Sequence, residues 1–521
     1  MLNRLPLGPL PAQMHKTLLD LCANSDDAPK VEVEAPFLGF SIGYVFEGSE
    51  VDVDEAFRRA RAAQKEWALT SISDRKKVFR TFHDLVLKNR ELLIDFIQLE
   101  TGKNRASAAD EVFDVAITAR YYANQVEKLL ADKKHPGALP VVTKNVQQQI
   151  PKGVVGQITP WNYPLTLGVS DAIPALLAGN AVVAKPDLAT PFTCLIAVHL
   201  LVEAGLPRDL MQVVTGSGEV VGGAIAQHCD YLMFTGSTAT GRILGRTMGE
   251  RLVGFSAELG GKNPLIVAKD ADLSSIGREL VQACFSNSGQ LCVSIERIYV
   301  EAEVYEEVLD KFVRATKDMS IGTGFDWDVE MGSLIHKTQL ERVSEFVEQA
   351  RDAGATVLCG GRARADIGPY FYEPTVLVDV PAGTPLLTQE VFGPVVFVEK
   401  VSSLLEAVEK ANATEYGLNA SVFAAPETGR WVANQLEAGG VGINDGYAAT
   451  WASVSTPLGG MKQSGVGRRH GAEGLLKYTE TRNVAEQRVI PLRGPAWLRR
   501  KAYSDVLAWA LKMGKTLKVL P

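Results

Sequence analysis

Gly153-Val154-Val155-Gly156-Gln157-Ile158-Thr159-Pro160-Trp161-Asn162-Tyr163-Pro164 opens the stretch that decides the fold: a short apolar run leads into a turn fixed by two prolines. A helix-like run over 165–177 follows, then the apolar Ala181-Val182-Val183-Ala184-Lys185, then another helix-like run over 192–204. The alternation continues through 210–214, 219–227, 231–234 and 241–248. Strands separated by single helices need crossover connections, hence a parallel sheet covered on both faces. A second alternating region spans 263–444, with strand-like 264–267, 298–300, 375–378 and 395–398. The expected fold class is α/β, with two doubly wound parallel-sheet domains and a crevice between them for chemistry.

Outward from that core the chain is less regular. Residues 1–30 mix prolines with a short helical run over 14–22 and read as a surface arm. Helical periodicity dominates 53–130, where Val78, Phe82, Leu85, Val86, Leu93 and Phe96 recur at three- and four-residue steps. The segment 141–149, from Val141, is extended but too polar for a buried strand, and suits an arm that pairs with another subunit. There is no internal repeat.

With 521 residues the chain exceeds one core, and 46% hydrophobic with 22% charged residues is ordinary for a globular protein. A net charge of −7 argues against a general nucleic-acid binder. Six cysteines without a framework point to a reducing compartment, and neither a leader pattern at the N-terminus nor a long apolar run stands out, so a cytoplasmic enzyme is expected.

The chemistry concentrates on few residues. Cys292 closes Phe285-Ser286-Asn287-Ser288-Gly289-Gln290-Leu291-Cys292, a loop of small and polar residues after a helix-like run, and upstream Glu258 opens Glu258-Leu259-Gly260-Gly261-Lys262. A free cysteine usually packs as a small apolar side chain, which suits Cys22, Cys194, Cys229, Cys284 and Cys359. Cys292 alone follows such a loop, where a thiol and a free backbone N–H can meet a carbonyl carbon, and no metal-ligand spacing is present. Asn162 carries the only side-chain amide in its turn; beside the Cys292 N–H it would complete an oxyanion hole, and otherwise it ties the turn to itself.

Gly216-x-Gly218-x-x-x-Gly222 follows a strand and opens a helix without the usual dinucleotide spacing, and Phe234-Thr235-Gly236-Ser237-Thr238 places hydroxyls at a second helix start. Lys185 ends its strand either solvated or reaching a ribose or phosphate. In Gln389-Glu390-Val391-Phe392-Gly393-Pro394, Glu390 could accept ribose hydroxyls, and Phe392 could pack on a flat ring or in a core.

Taken together, these segments resemble the aldehyde dehydrogenase superfamily over about 35–485. The run 283–297, with Asp230-Tyr231-Leu232-Met233-Phe234 and Gly465-Val466-Gly467-Arg468-Arg469-His470-Gly471, is similar to a bacterial subgroup labelled NADP-dependent succinate-semialdehyde dehydrogenase. The resemblance implies a cofactor domain over 35–140 and 153–259, a catalytic domain over 260–470 and a small β oligomerisation arm over 141–152 and 471–490. An N-terminal arm, 1–34, and a basic tail, 491–521, flank them. It implies a homodimer or homotetramer, and Cys292 as nucleophile, Glu258 as general base, and Asn162 with the Cys292 amide as oxyanion hole. Cofactor contacts are expected from Thr159, Pro160, Trp161, Lys185, Leu188, Gly218, Gly222, Phe234, Ser237, Leu259, Glu390 and Phe392, with no metal. The implied reaction is thiolate addition to an aldehyde, hydride loss to nicotinamide, and hydrolysis of the thioester by water that Glu258 activates.

Three details refine this. NAD-preferring relatives often carry glutamate at the third position after the motif lysine; here Leu188 stands there, so NADP is the expected cofactor and NAD the alternative, with Asp187 a competing charge. Succinate-semialdehyde dehydrogenases are expected to place arginines where this chain has Ser170 and Ser286. Two hydroxyls bring no charge, and a mouth of Trp161, Tyr163, Tyr447 and Trp451 suits an aromatic or aliphatic aldehyde equally. Beyond Pro491, Arg493, Arg499, Arg500, Lys501, Lys512, Lys515 and Lys518 face one acid, Asp505, while Val506, Trp509, Ala510, Met513 and Leu517 fall at helical spacing. This basic amphipathic helix reads as packing on this or a neighbouring subunit, or as touching an anionic membrane. A cysteine hydrolase without redox chemistry is the rival of another class, and it commonly needs a histidine near the sulfur.

Overall fold

The computed structural model describes residues 4–137, 143–489 and 491–516. Its first sheet has six strands, and Val154–Ile158 lies in it between Ala181–Lys185 and Tyr231–Thr235, parallel to both. The chain steps outward through Ala181–Lys185 to Met211–Val213, then returns to the other side for Tyr231–Thr235 and Gly254–Glu258. That reversal opens a crevice beyond the C-terminal ends of Val154–Ile158 and Tyr231–Thr235, the place where open parallel sheets bind ligands. The inner strands are buried and mainly apolar because helices cover both faces.

The second sheet runs Thr356–Cys359, Thr375–Val378, Val395–Val401, Ile295–Glu301, Asn263–Val267, Asn419–Phe423, Gly440–Ile443, and all but its first pair are parallel. Glu258 ends a strand of the first sheet, and Asn263 begins a strand of the second after four intervening residues. Chemistry at Glu258 therefore lies at the seam between the sheets.

Each sheet departs from a purely parallel expectation at one edge. Gly465–Val466 closes the first sheet antiparallel to Gly254–Glu258, although these two residues fall in the segment expected to serve the second domain. A two-residue strand carries no periodicity that a sequence reading could detect.

Thr143–Pro151 pairs antiparallel with both Lys133–Pro136 and Thr479–Gln487, forming a three-stranded sheet. Only Thr479 is buried in its last strand. Val141 lies outside the described residues.

The N-terminal segment is not a free arm. Helix Ala12–Leu19 buries Met14 and Leu18 in the core of the first sheet, and the Leu10 N–H donates to the Ile42 carbonyl at 2.8 Å. Four helices, Glu50–Leu69, Ile72–Lys88, Arg90–Thr101 and Arg105–Leu130, account for the periodicity over 53–130. Ser49 and Asp52 form a capping box at the start of the first, and Gly102, at φ 72°, ends the third. Helix Arg500–Thr516 buries none of its residues, with Val506, Trp509 and Met513 exposed; Leu517 and Lys518 lie outside the described residues. Among the described residues no helix is long and apolar enough to cross a membrane.

Candidate active site

Cys292 is presented by an unusual turn. Helix Ile276–Phe285 gives way to Ser286–Gly289, where Asn287 and Ser288 take φ 51° and 55° and Gly289 φ 68°. A Cβ at Gly289 would lie 2.1 Å from the Gly393 carbonyl oxygen, so only glycine fits. Asn287 Nδ2 donates to the carbonyls of Gln290 at 2.9 Å and Asn162 at 3.2 Å, which offsets the left-handed backbone. Asn263 Nδ2 donates to the Cys292 carbonyl at 2.7 Å. The Cys292 N–H has no oxygen acceptor among the described residues.

The thiol enters a cavity whose walls include Asn162, Tyr163, Glu258, Trp451 and Arg469. Burial, reinforced by the carboxylates of Glu258 and Glu390, pushes the Cys292 thiol up to about 12, with Arg469 pulling the other way. Burial also pushes Glu258 up to about 7, against Arg469 and Lys477. Near neutral pH the sulfur is therefore protonated, and the nearby carboxyl can take up or release a proton.

Asn162 does not tie its own turn. Its Nδ2 donates across to the Gln290 carbonyl at 3.1 Å, turning the amide toward the cysteine loop. The turn is clamped from below by a buried ion pair absent from the sequence reading. Lys103 Nζ donates to the Asn162 carbonyl at 2.6 Å and to Glu111 Oε1 at 2.7 Å. Glu111 Oε2 accepts the N–H groups of Leu165 at 2.9 Å and Thr166 at 3.1 Å. A lysine after Thr101-Gly102 reads as solvated in sequence, and no local signal marks it otherwise.

On the crevice side, the Thr159 N–H donates to the Lys185 carbonyl at 3.1 Å, and Pro160 continues the turn. Lys185 is buried, its Nζ donating to the Pro186 carbonyl at 3.0 Å; burial lowers its pKa, opposed by Asp187 and Glu47. Asp187 caps its own turn by accepting the Ala189 N–H at 2.9 Å, and Leu188 packs half-buried against the core. Nothing lies within 4 Å of a Cβ built on Gly218, while one on Gly222 would sit 3.8 Å from Lys185 Cδ. Ser217 caps the turn Gly218–Gly222, and Ser237 caps helix Thr238–Arg251.

Glu390 Oε1 accepts the Gly261 N–H at 2.8 Å, and a Cβ at Gly260 would lie 2.7 Å from Oε2. Burial and the neighbouring Glu296 push Glu390 up to about 7. Glu296, paired with the buried Lys262, accepts the N–H groups of Val391 and Phe392, so Phe392 is held at φ 59°.

Other expected residues sit in the core or outside the two cavities. Phe234 is a core residue whose ring packs beneath Gly236, where a Cβ would meet its Cζ at 2.6 Å; Leu259 is likewise filled in against Gly241. Trp161 stands edge-on to Phe392 at 5.5 Å, on the crevice side, and does not line the outer mouth. Neither Ser170 nor Ser286 lines a wall: Ser170 Oγ donates to Asp114 at 2.9 Å and Ser286 Oγ to the Gln282 carbonyl at 2.7 Å.

Tyr163, Tyr447 and Trp451 do line the outer mouth, a cavity of about 190 Å³, with Phe113, Ile117 and the acids Asp110, Glu111 and Asp114. Trp451 Nε1 donates to Asp114 at 3.0 Å. No histidine lines the Cys292 cavity among the described residues, and burial with Arg469 pushes His470 down to about 3.

The profile of the aldehyde dehydrogenase family matches residues 23–484. The chain is 54% identical over 464 residues to a protein of Mycolicibacterium smegmatis named "Putative succinate-semialdehyde dehydrogenase [NADP(+)]", covering 89% of this chain and 90% of that one. A Mycobacterium tuberculosis protein with the same name and the suffix 2 is 49% identical over 509 residues, covering 96% and 98%. The NAD+ complex of an aldehyde dehydrogenase from Bacillus cereus superposes with a TM-score of 0.84 at 36% identity, covering 88% and 93%.

Proposed function

The chain belongs to the aldehyde dehydrogenase family, and on that footing we propose that Cys292 attacks an aldehyde, Asn162 and the Cys292 N–H hold the resulting oxyanion, and Glu258 serves the hydrolysis of the thioester. The observation that carries this reading is that Cys292, Glu258 and Asn162 wall one buried cavity at the seam of two sheets. A thiol raised to about 12 must give its proton up to solvent as the carbon–sulfur bond forms, while Glu258, raised to about 7, can take up and release a proton in the later hydrolysis of the thioester. The second N–H of the Asn162 side-chain amide, beside the one given to Gln290, and the Cys292 backbone N–H can then stabilise the alkoxide.

The crevice fits a dinucleotide. Open space over Gly218, the close approach of Gly222 to Lys185, and a buried carboxylate at Glu390 suit phosphates and ribose hydroxyls. Bound NAD(P)+ would supply the hydride acceptor. Lys185, Gly218, Gly222 and Ser237 would hold the phosphate-bearing half, and Glu390 and Phe392 would set the other end beside Cys292. Leu188 brings no carboxylate to repel a 2′-phosphate, so NADP is preferred, although Asp187 and Glu47 lie near Lys185.

Succinate semialdehyde is the leading substrate, supported by the names of relatives at 49–54% identity. An uncharged aromatic or aliphatic aldehyde is the second reading, favoured by an outer mouth lined by Phe113, Ile117, Tyr447 and Trp451 without lysine or arginine among its described residues. Specificity constants for succinate semialdehyde, benzaldehyde and a medium-chain alkanal decide between them. Succinate semialdehyde should lead; a tenfold lead for benzaldehyde, about 1.4 kcal/mol of transition-state discrimination, would overturn that choice. The sheet Thr143–Pro151 with Thr479–Gln487 is the arm through which the protein forms a homodimer or homotetramer.

A further inference from the structure

We infer that Arg469 is the residue that receives the distal carboxylate of a semialdehyde substrate, taking the place of the arginines absent at Ser170 and Ser286. The inference rests on the substrate reading above. A carboxylate buried beside Cys292 needs a cation, because desolvating it unpaired is costly. Among the described residues that line the Cys292 cavity, Arg469 is the one lysine or arginine. The outer mouth offers none.

The side chain is placed and poised for this role. Its guanidinium lies on the face of Trp451, with Cζ 4.9 Å from the ring centroid, and Trp451 belongs to both the Cys292 cavity and the outer mouth. One edge of the fork is fixed: an Nη2 donates to Asp171. The Nε is buried and has no partner, so the side chain is not saturated. A guanidinium has five donors in a planar fork and can serve Asp171 and a second carboxylate together. Ser170 and Ser286 cannot compete, since both hydroxyls are already committed to protein acceptors.

Arg469 is paired with Asp171 and also faces Glu258 and Asp114, while Lys477 Nζ lies 3.8 Å from the Asp171 carboxylate as a second cation of the cluster. Succinate semialdehyde is short, and a cation in the wall of the reaction cavity itself suits it better than one in the outer mouth.

The test compares succinate semialdehyde with its methyl ester, which is similar in length but uncharged, in wild type, Arg469→Lys and Arg469→Met. In wild type the acid should have the higher kcat/KM. The acid-to-ester ratio should fall about tenfold in Arg469→Lys, which keeps charge and loses the fork, and on the order of a hundredfold in Arg469→Met. Using the ratio cancels effects on Glu258 and Cys292 that both substrates share, and Arg469→Lys carries the test should Arg469→Met not fold. An acid preference in wild type that survives unchanged in the variants overturns the role of Arg469 and leaves the substrate reading standing. Wild-type preference for the ester overturns both.

Discussion

At the scale of single residues, two shifted protonations govern the account. Glu258 must be ionised to activate water, and burial raises it to about 7, so turnover limited by deacylation should climb as pH rises through about 7 and level off above. Arg469 and Lys477 hold Glu258 down from where burial alone would put it. Arg469→Met should therefore move the pH midpoint upward, and a kcat profile from pH 5.5 to 9 reads the shift; a downward move would contradict the electrostatic assignment. The cofactor rests on another residue. Leu188→Glu should cut kcat/KM for NADP by about tenfold or more through repulsion of the 2′-phosphate, while NAD gains or is unaffected. A wild-type enzyme that strongly prefers NAD would contradict the assignment at once. Cys292, Glu258 and Asn162 stand out in the sequence because each lies in or borders a turn whose glycines or prolines set it apart. Arg469 does not: between Gly467-Arg468 and His470-Gly471 it reads as one of two solvated arginines, and only packing against Trp451 and Asp171 reveals it as buried.

Elements carry these residues, and their supports are testable separately. The turn bearing Asn162 rests on Lys103, in the link before helix Arg105–Leu130, and Glu111, within that helix, two fully buried charges. Lys103→Met strands the Glu111 carboxylate, and removing one partner of such a pair costs about 3–5 kcal/mol. The stranded carboxyl is held above its unfolded range by burial, so the folded form binds the extra proton and stability falls as pH rises. The Tm deficit of Lys103→Met should be larger at pH 8 than at pH 5; the reverse order would mean that Glu111 finds another cation. Helix Arg500–Thr516 has no buried residue. Deleting 491–521 should leave kcat/KM nearly unchanged and alter subunit number in sedimentation, if the helix packs on a neighbouring subunit. Co-sedimentation of the full chain, but not the truncated one, with anionic liposomes would reassign it to a membrane surface. Parallel strands such as Val154–Ile158 were readable because burial on both faces makes them mainly apolar, whereas Gly465–Val466 is too short to show any period.

Over the whole molecule, the two sheets converge on the four residues between Glu258 and Asn263. One edge of that seam faces the crevice and the other the thiol. The first sheet brings Asn162 and Glu258, and the loop leading into Ile295–Glu301 brings Cys292, so no single sheet contains the site. Cys292→Ala should abolish aldehyde oxidation and still bind cofactor, because Cys292 is not among the residues that would hold the cofactor. The hydrolytic role of Glu258 makes the acyl-enzyme the species to isolate. Mixing the Glu258→Gln variant with NADP+ and succinate semialdehyde, then weighing the intact protein and mapping its peptides, tests the central claim most directly. The expected result is one stoichiometric burst of reduced cofactor, a steady rate lowered on the order of 10²–10⁴-fold, and a single acyl group on Cys292. Full turnover without an acyl group, or an acyl group on another residue, would contradict it.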